Sequence, residues 1–144
     1  MPVQPASQAA VASPAWWDRG IFLVAEGEVG PDVIDITGRP RFLVFGPYVE
    51  LESGVWRATV FLQLCPDAAR GRLALQFGAE PDYTTVDLPS NTTGSMSVEA
   101  VHRMARPGFA QVRLWLKMAA FHGDVRFFGA VVERVAGGPD SAVS

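Results

Sequence analysis

The stretch Trp56-Arg57-Ala58-Thr59-Val60-Phe61-Leu62-Gln63-Leu64 has an apolar residue at every even-numbered position, while its odd-numbered positions include Arg57, Thr59 and Gln63. Successive side chains of a β-strand point to opposite faces of the sheet. The pattern therefore predicts a strand that buries one face and exposes the other. Residues 110–118 repeat it, with apolar residues at every even position and Gln111, Arg113, Trp115 and Lys117 at the odd ones.

Short apolar segments bounded by Gly, Pro, Asp or Asn continue this signature along the chain, and no convincing amphipathic helix lies between them. The predicted strands are 21–25, 33–36, 42–45, 55–65, 72–78, 83–88, 95–104, 109–118 and 124–135. Eight or nine strands without helical crossovers predict an all-β fold, an antiparallel two-sheet β-sandwich of jelly-roll-like topology. An immunoglobulin-like sandwich without the disulfide is an alternative. A lipocalin-type barrel fits the irregular strand lengths less well.

Composition narrows the class of protein further. The chain has 144 residues, the size of one domain, of which 49% are hydrophobic and only 19% are charged. This apolar content excludes disorder throughout, and the net charge of −3 offers no basic field for nucleic acid. No apolar run approaches the roughly 18 residues of a membrane span. One cysteine, Cys65, excludes an internal disulfide.

The domain is expected to occupy residues 16–136. Residues 1–15 are rich in Ala, Ser, Pro and Gln, which is typical of a flexible tail or linker stub. Residues 137–144 are expected to form a frayed tail. The start of the chain has no basic region followed by an apolar core, so no secretory signal is predicted. Localisation stays open, and the cytoplasm would fit if the chain is full length.

The stretch Val44-Phe45-Gly46-Pro47-Tyr48-Val49-Glu50-Leu51-Glu52-Ser53-Gly54-Val55-Trp56-Arg57-Ala58 combines Gly-Pro-aromatic, Leu-x-x-Gly and an aromatic residue that opens an alternating strand. Gly46-Pro47 is expected to turn the chain out of one strand, and Leu51 to fill the core. The pattern resembles carbohydrate-binding-module-like jelly-roll domains, such as those attached to bacterial glycosyltransferases and polysaccharide enzymes. The resemblance extends loosely over residues 42–135. It implies a jelly roll and supports the fold more than the ligand.

The exposed face of strand 109–118 is the predicted ligand platform. A sugar ring presents apolar C–H faces and a rim of hydroxyl groups, so an aromatic plane beside amide or guanidinium donors matches it. The candidate ligand-binding residues are Trp115, Arg113, Gln111 and Lys117, joined from neighbouring strands by Arg57, Gln63 and Gln76. The alternative is that Trp115 merely covers the sheet and forms a cation–π contact with no ligand.

Other aromatic residues have candidate roles near the ends of strands. Trp16 and Trp17 stand where the ordered body begins; they are expected to cap an open end of the sandwich, or to form a second platform or an interdomain contact. Tyr48 and Tyr83 lie in or beside turns, where they are candidates to line a loop pocket. Residues 80–83 are a candidate rim of that pocket.

Catalytic and metal-binding motifs find little support. The chain has no Gly-x-Ser-x-Gly, no phosphate loop and only two histidines, so no enzyme activity and no cofactor are predicted. A structural calcium ion is an open alternative, because acidic residues cluster around the second predicted strand. These residues are Glu26, Glu28, Asp32 and Asp35.

The sequence thus predicts a non-catalytic carbohydrate-binding β-sandwich, either a module of a larger polysaccharide-processing protein or a companion to one. The alternative is a protein–protein interaction or homodimerising structural domain. Its contact surface would be formed by outward aromatic residues, namely Phe61, Trp115, Phe128, Trp16 and Trp17. A small lyase or isomerase is a third alternative. Neither nucleic acid nor a membrane span is expected.

Overall fold

The computed structural model describes residues 14–24, 28–30, 33–66, 68, 70, 72–89 and 92–137. They form two six-stranded antiparallel sheets that face each other. Sheet A contains β1 (Ala15–Asp18), β3 (Glu28–Gly30), β4 (Val33–Asp35), β7 (Gly54–Leu64), β10 (Gly94–Met104) and β12 (Asp124–Gly137). Sheet B contains β2 (Leu23–Val24), β5 (Arg41–Phe45), β6 (Pro47–Leu51), β8 (Leu73–Ala79), β9 (Asp82–Asp87) and β11 (Gly108–Leu116). A short 3-10 turn (Arg19–Ile21) separates β1 from β2.

The strand order confirms the predicted antiparallel sandwich. Sheet A runs β10-β7-β12-β4-β3 with β1 also beside β12, and sheet B runs β2-β5-β11-β8-β9 with β6 also beside β11. The predicted strands all occur, and the short strands β1, β3 and β6 are additional because three to five residues carry too little alternation to be recognised. The expected tails fall mainly on residues 1–13 and 138–144, which lie outside the described residues. The boundaries of the domain stay predictions.

The core lies between the two sheets and is built from the even-numbered positions that the sequence singled out. On β7 the side chains of Trp56, Val60 and Leu62 are almost fully buried, and on β11 those of Leu114 and Leu116 are completely so. Phe77 of β8 and Phe127 of β12 fill the space between them. Burying each such side chain contributes on the order of 1.5–3 kcal/mol, which is the main favourable term in holding the sheets together.

The Gly46-Pro47 pair ends one strand, as predicted, because β5 stops at Phe45 and β6 begins at Pro47. It does not take the chain out of sheet B, since β5 and β6 both pair with β11. The carbonyl oxygen of Gly46 accepts a hydrogen bond from the backbone N–H of Val112 at 2.7 Å, so pairing continues through the interruption. The chain leaves sheet B only after Leu51, whose side chain is buried as predicted.

Strand β1 is anchored on β12 by two tryptophans with different environments. Trp17 is 3% exposed and belongs to the core, whereas Trp16 is 51% exposed on the outer surface of sheet A, 6.1 Å from the ring of Phe61. Both residues crowd Gly129, which has φ of +135°. A Cβ atom there would overlap the Trp17 carbonyl oxygen and lie 2.8 Å from the Trp16 ring. The β1–β12 pairing therefore requires glycine at this position.

Substitution Gly129→Ala is expected to destabilise the domain by roughly 3 kcal/mol, because it combines a left-handed backbone with a steric overlap. The matched control is Gly94→Ala: Gly94 has φ of +87° with no atom within 4 Å of an added Cβ. The control should cost only about 1 kcal/mol. Urea unfolding of both variants measures the difference, and equal losses would show that Trp16 and Trp17 do not constrain Gly129.

His102 links the edge strands of the two sheets. Its ring lies on β10, is 6% exposed, and shares a 2.9 Å hydrogen bond between Nδ1 and the Thr84 hydroxyl on β9. Burial lowers the pKa of His102, and the Asp82 carboxylate, 3.8 Å from Nε2, only partly opposes this. The folded state therefore favours the neutral ring more than the unfolded chain does.

Stability should consequently fall as the pH drops below about 6.5, because the unfolded chain takes up the proton on His102 before the folded domain does. One such proton gives a slope of at most about 1.4 kcal/mol per pH unit. Urea unfolding at pH 7.5 and 5.5 measures this slope. The variant His102→Gln, which cannot titrate, should show a smaller decrease over the same interval, and an unchanged decrease would contradict the assignment.

Candidate functional site

The outer face of sheet B carries three cross-strand rungs of side chains. Each rung begins on β11, crosses β8 and ends on β9, because the three strands pair in continuous register. The rungs are Gln111–Gly78–Tyr83, Arg113–Gln76–Thr85 and Trp115–Ala74–Asp87. Three of the predicted site residues, Gln111, Arg113 and Trp115, thus share one face, and Gln76 joins them from the neighbouring strand as expected.

The first rung holds a buried amide. Gln111 is 4% exposed, and its Nε2 donates a 2.6 Å hydrogen bond to the Tyr83 hydroxyl. Its Oε1 is buried and has no hydrogen-bond partner among the described residues. Gly78 lies between the two, and a Cβ there would overlap the backbone of Asp82 and Tyr83. Burial raises the pKa of Tyr83, so its hydroxyl keeps its proton at neutral pH and remains a donor.

The second rung holds a cation between two aromatic rings. The guanidinium carbon of Arg113 lies 3.7 Å from the centre of the Tyr83 ring and 4.4 Å from that of Phe42. Its Nη2 donates to Gln76 Oε1 at 2.6 Å, and Gln76 Nε2 donates to the Thr85 hydroxyl at 3.1 Å. Both ring faces attract the cation, and the hydrogen-bond chain fixes its plane. Arg113 is therefore a pre-positioned group.

The third rung differs from the predicted open platform. Trp115 is half-buried and packs against Phe42 with the ring centres 6.2 Å apart. Lys117, just beyond β11, donates a 2.7 Å hydrogen bond to Asp87 Oδ1. The cation–π contacts of Arg113 are made with Phe42 and Tyr83. Trp115 thus forms part of an aromatic cluster on the sheet surface, and its proposed stacking role stays a prediction.

A concave pocket of about 460 Å³ opens at the other end of β11, beside the first rung. Its lining residues are Tyr48, Ala79, Glu80, Tyr83, Gly108, Phe109, Gln111 and Arg113. Tyr48 and Phe109 are 49% and 62% exposed, and Tyr83 covers Gln111. Tyr48 and Tyr83 line a pocket, as the sequence indicated. Phe109 was missed, although its odd position on β11 shares the parity of Gln111 and Arg113.

Two of the predicted residues lie elsewhere. Arg57 and Gln63 belong to β7 in the middle of sheet A, so the prediction that they lie on strands beside β11 is wrong. Arg57 makes a 2.9 Å ion pair with Glu133, and Gln63 lies opposite Ser95 and Arg126. Alternation gives the face of a strand within its own sheet but does not tell which of two sheets the strand joins. Neither residue can contribute to the pocket.

Most of the acidic residues in the calcium hypothesis have side chains that the structure does not describe. Glu26 and Asp32 are not among the described residues, and the side chain of Glu28 is not described either. Hydrogen bonds from the Thr37 hydroxyl and from the Thr37 backbone N–H, the latter at 2.9 Å, lower the pKa of Asp35. Within the described stretches no three His, Cys, Asp or Glu side chains come together as a metal site.

None of the described helices has the length and apolarity to cross a bilayer.

No protein-family model and no curated protein matches the chain. Several solved structures are similar to it. The CBM22-1 xylan-binding domain of Xyn10C from Paenibacillus barcinonensis has 13% identity and a TM-score of 0.44, with coverage of 84% of this chain and 87% of that one. The carbohydrate-binding module CBM6cm-2 of lichenase 5A from Cellvibrio mixtus, solved with cellotriose, has 9% identity and a TM-score of 0.41, with coverage of 86% and 88%.

A ruminal GH26 endo-β-1,4-mannanase is also similar, with 17% identity and a TM-score of 0.45. The match covers 84% of this chain but only 23% of the mannanase chain. The strand pairing of this chain by itself establishes the sandwich architecture.

Proposed function

We propose that this chain is a non-catalytic carbohydrate-binding domain whose ligand occupies the pocket beside the first rung of sheet B. The observation that carries the proposal is the buried, unpartnered Oε1 of Gln111 in a pocket walled by Tyr48, Tyr83 and Phe109. A buried amide oxygen without a partner costs free energy, which is recovered when the side chains over it shift enough for a ligand hydroxyl group to donate to it.

The aromatic walls suit the apolar faces of a sugar. Phe109 and Tyr48 are exposed at the mouth of the pocket, where isolated large rings gain little from the fold itself. A pyranose ring that stacks on such a plane buries its C–H face while its hydroxyl groups stay at the rim. The Arg113 guanidinium supplies donors at that rim, and the Gln111 amide beneath Tyr83 supplies the acceptor.

The carboxylates near the pocket support binding rather than catalysis. Glu80 and Asp82 are the acidic residues closest along the chain to Tyr83, and their side chains are 75% and 81% exposed. A general acid for glycoside cleavage depends on an apolar environment that raises its pKa. Two carboxylates in open solvent lack that environment. We therefore infer that a bound glycan is held and released without cleavage, as expected for a module associated with a polysaccharide-processing protein.

Trp115 is proposed to contact only longer ligands. It lies four positions along β11 from Gln111, which corresponds to roughly 13 Å. A single sugar in the pocket would not reach that distance. An oligosaccharide that follows β11 would pass Arg113 and Gln76 before it meets the Trp115–Phe42 cluster and Lys117. In this arrangement the residues of the predicted platform act as outer subsites of the pocket.

Substitutions Phe109→Ala and Tyr48→Ala are each expected to weaken glycan binding roughly 3- to 10-fold, because each removes one stacking plane. Both residues are exposed, so urea unfolding should change little. Phe121→Ala is the matched control, since Phe121 is 88% exposed in the connection between β11 and β12. Affinity electrophoresis against a panel of soluble polysaccharides gives the measurement. Retention by none of them at high polysaccharide concentration would refute the proposed function.

Substitution Trp115→Ala is expected to weaken binding of a tetrasaccharide by several-fold and to leave binding of a disaccharide unchanged. The reason is that only the longer ligand spans the distance from the pocket to the third rung. Calorimetric titration with a matched length series measures the effect. Arg57→Ala and Gln63→Ala, on the opposite sheet, serve as controls and should bind both ligands normally. An equal loss for both lengths would move the primary site to Trp115.

A second candidate function is homodimerisation through the outer face of sheet A. Trp16, Phe61 and Phe128 lie there, and an open groove of about 460 Å³ runs beside Phe61 and Phe128. Trp115 belongs to the other sheet and Trp17 to the core. The five aromatic residues predicted from sequence to form one contact surface therefore do not lie on one surface. Light scattering tests this candidate: a stable dimer that Phe61→Ser disrupts would support it. Such a dimer would leave the sheet B pocket accessible, so glycan binding is tested separately.

A further inference from the structure

A second pocket of about 340 Å³ adjoins the first one and shares Ala79, Glu80 and Gly108 with it. It lies between the β8–β9 turn and the connection from β10 to β11. Gly108 has no side chain to separate the two spaces, and an added Cβ would come within 3.3 Å of Ala79 and Met104. The two pockets thus adjoin each other across Gly108 and Glu80, and together they are called the groove below.

The walls of the second pocket carry opposite charges. Arg103 and Arg106 lie on the wall formed by the end of β10 and its connection to β11, and Glu80 and Asp82 lie on the wall formed by the β8–β9 turn. Glu80 and Asp82 already face cations or donors, since Glu80 Oε1 lies 3.8 Å from Arg113 and Asp82 Oδ2 lies 3.8 Å from His102.

The two arginines differ from the acids in this respect. Neither Arg103 nor Arg106 has a hydrogen bond or ion pair with any part of the chain that the structure describes. Both residues are exposed and line the pocket, Arg103 from the outward-facing side of β10 and Arg106 from the connection to β11. The protein as a whole carries a net charge of −3, so this wall is a local cationic surface on an acidic protein. Such a surface attracts and orients an anionic group of a ligand.

We propose that the groove binds a glycan that bears a uronic acid, with the uronate carboxylate on Arg103 and Arg106. The proposal rests on the carbohydrate-binding function assigned to the adjoining pocket. A uronate matches both walls, because its carboxylate pairs with the arginines and its hydroxyl groups donate to Glu80 and Asp82. The neighbouring sugar unit then occupies the pocket of Tyr48, Phe109 and Gln111.

Other ligand classes match the groove less well. A neutral glycan would satisfy the acidic wall through its hydroxyl groups and would leave both arginines without an anion. A phosphate or sulfate ion would satisfy the arginines but lacks the sugar hydroxyl groups that donate to Glu80 and Asp82. Arginine also binds carboxylates through paired, parallel N–H···O bonds, which gives geometric selection in addition to charge.

The test compares two ligands that differ only in the carboxylate. Trigalacturonate and the trigalactose obtained from it by reducing the carboxyl groups to hydroxymethyl groups are titrated into the full chain by calorimetry. Wild type should bind the uronate trimer about tenfold more tightly at low salt, and this preference should shrink in 0.5 M NaCl because salt screens the charges. The variants Arg103→Gln and Arg106→Gln should each lose most of the preference and keep their affinity for the neutral trimer.

Arg126→Gln is the matched control, because Arg126 is an exposed arginine on the outer face of sheet A. It removes the same unit of charge from the protein and should retain the preference. Equal affinity of wild type for the two trimers would overturn the uronate assignment and leave the proposed carbohydrate binding intact. If Arg126→Gln also lost the preference for the uronate trimer, the preference would arise from the net charge of the protein, and the uronate assignment would likewise be overturned. Binding of neither trimer, together with no retention on the polysaccharide panel, would overturn the proposed function itself.

Discussion

The register of β11 between its neighbours is the constraint on which the candidate site depends. One face of this strand inserts Val112, Leu114 and Leu116 into the core, and the other carries the three rungs. A slip of one residue would exchange the two faces and place Arg113 among buried leucines. The free energy of burying the apolar face therefore fixes the position of every polar group in the site. Hydrophobic packing on one side of the sheet thus orders the chemistry on the other side.

The interrupted strand at Gly46-Pro47 adds to this constraint. Strands β5 and β6 together pair with the whole length of β11, with register shifts beside Gln111 and Trp115. These irregularities change the local twist of the sheet. Ala110 and Val112 point into the core, and Gln111 between them points to the outer face of sheet B. Its burial therefore comes from Tyr83 on β9, which covers the amide, and leaves one of its hydrogen-bonding atoms unpartnered.

The sequence predicted the sandwich, the long strands and the parity of Arg113 and Trp115, because these follow from alternation over nine or more residues. It did not predict that β7 and β11 lie in different sheets, since strand pairing depends on contacts between distant segments. For this reason Arg57 and Gln63 were grouped with the wrong surface. The burial of Gln111 depends on Tyr83 of β9, and the position of Phe109 at the pocket depends on the strands beside β11, and neither has a signature in the residues around them.

Arg113 shows how the site limits the entropy lost on binding. Two aromatic rings and Gln76 hold its guanidinium in one orientation before any ligand arrives. A free arginine side chain would lose on the order of 2 kcal/mol of rotamer entropy when a ligand immobilised it. The fold has already ordered this side chain, so a sugar that reaches it gains most of each new hydrogen bond. Arg103 and Arg106 have no such support, and their contribution should therefore come from charge and depend more strongly on salt. In the proposed groove, the end beside Arg113 is ordered by the fold, whereas the end beside Arg103 and Arg106 would attract a ligand through charge, so substitutions at one end should leave the other unchanged.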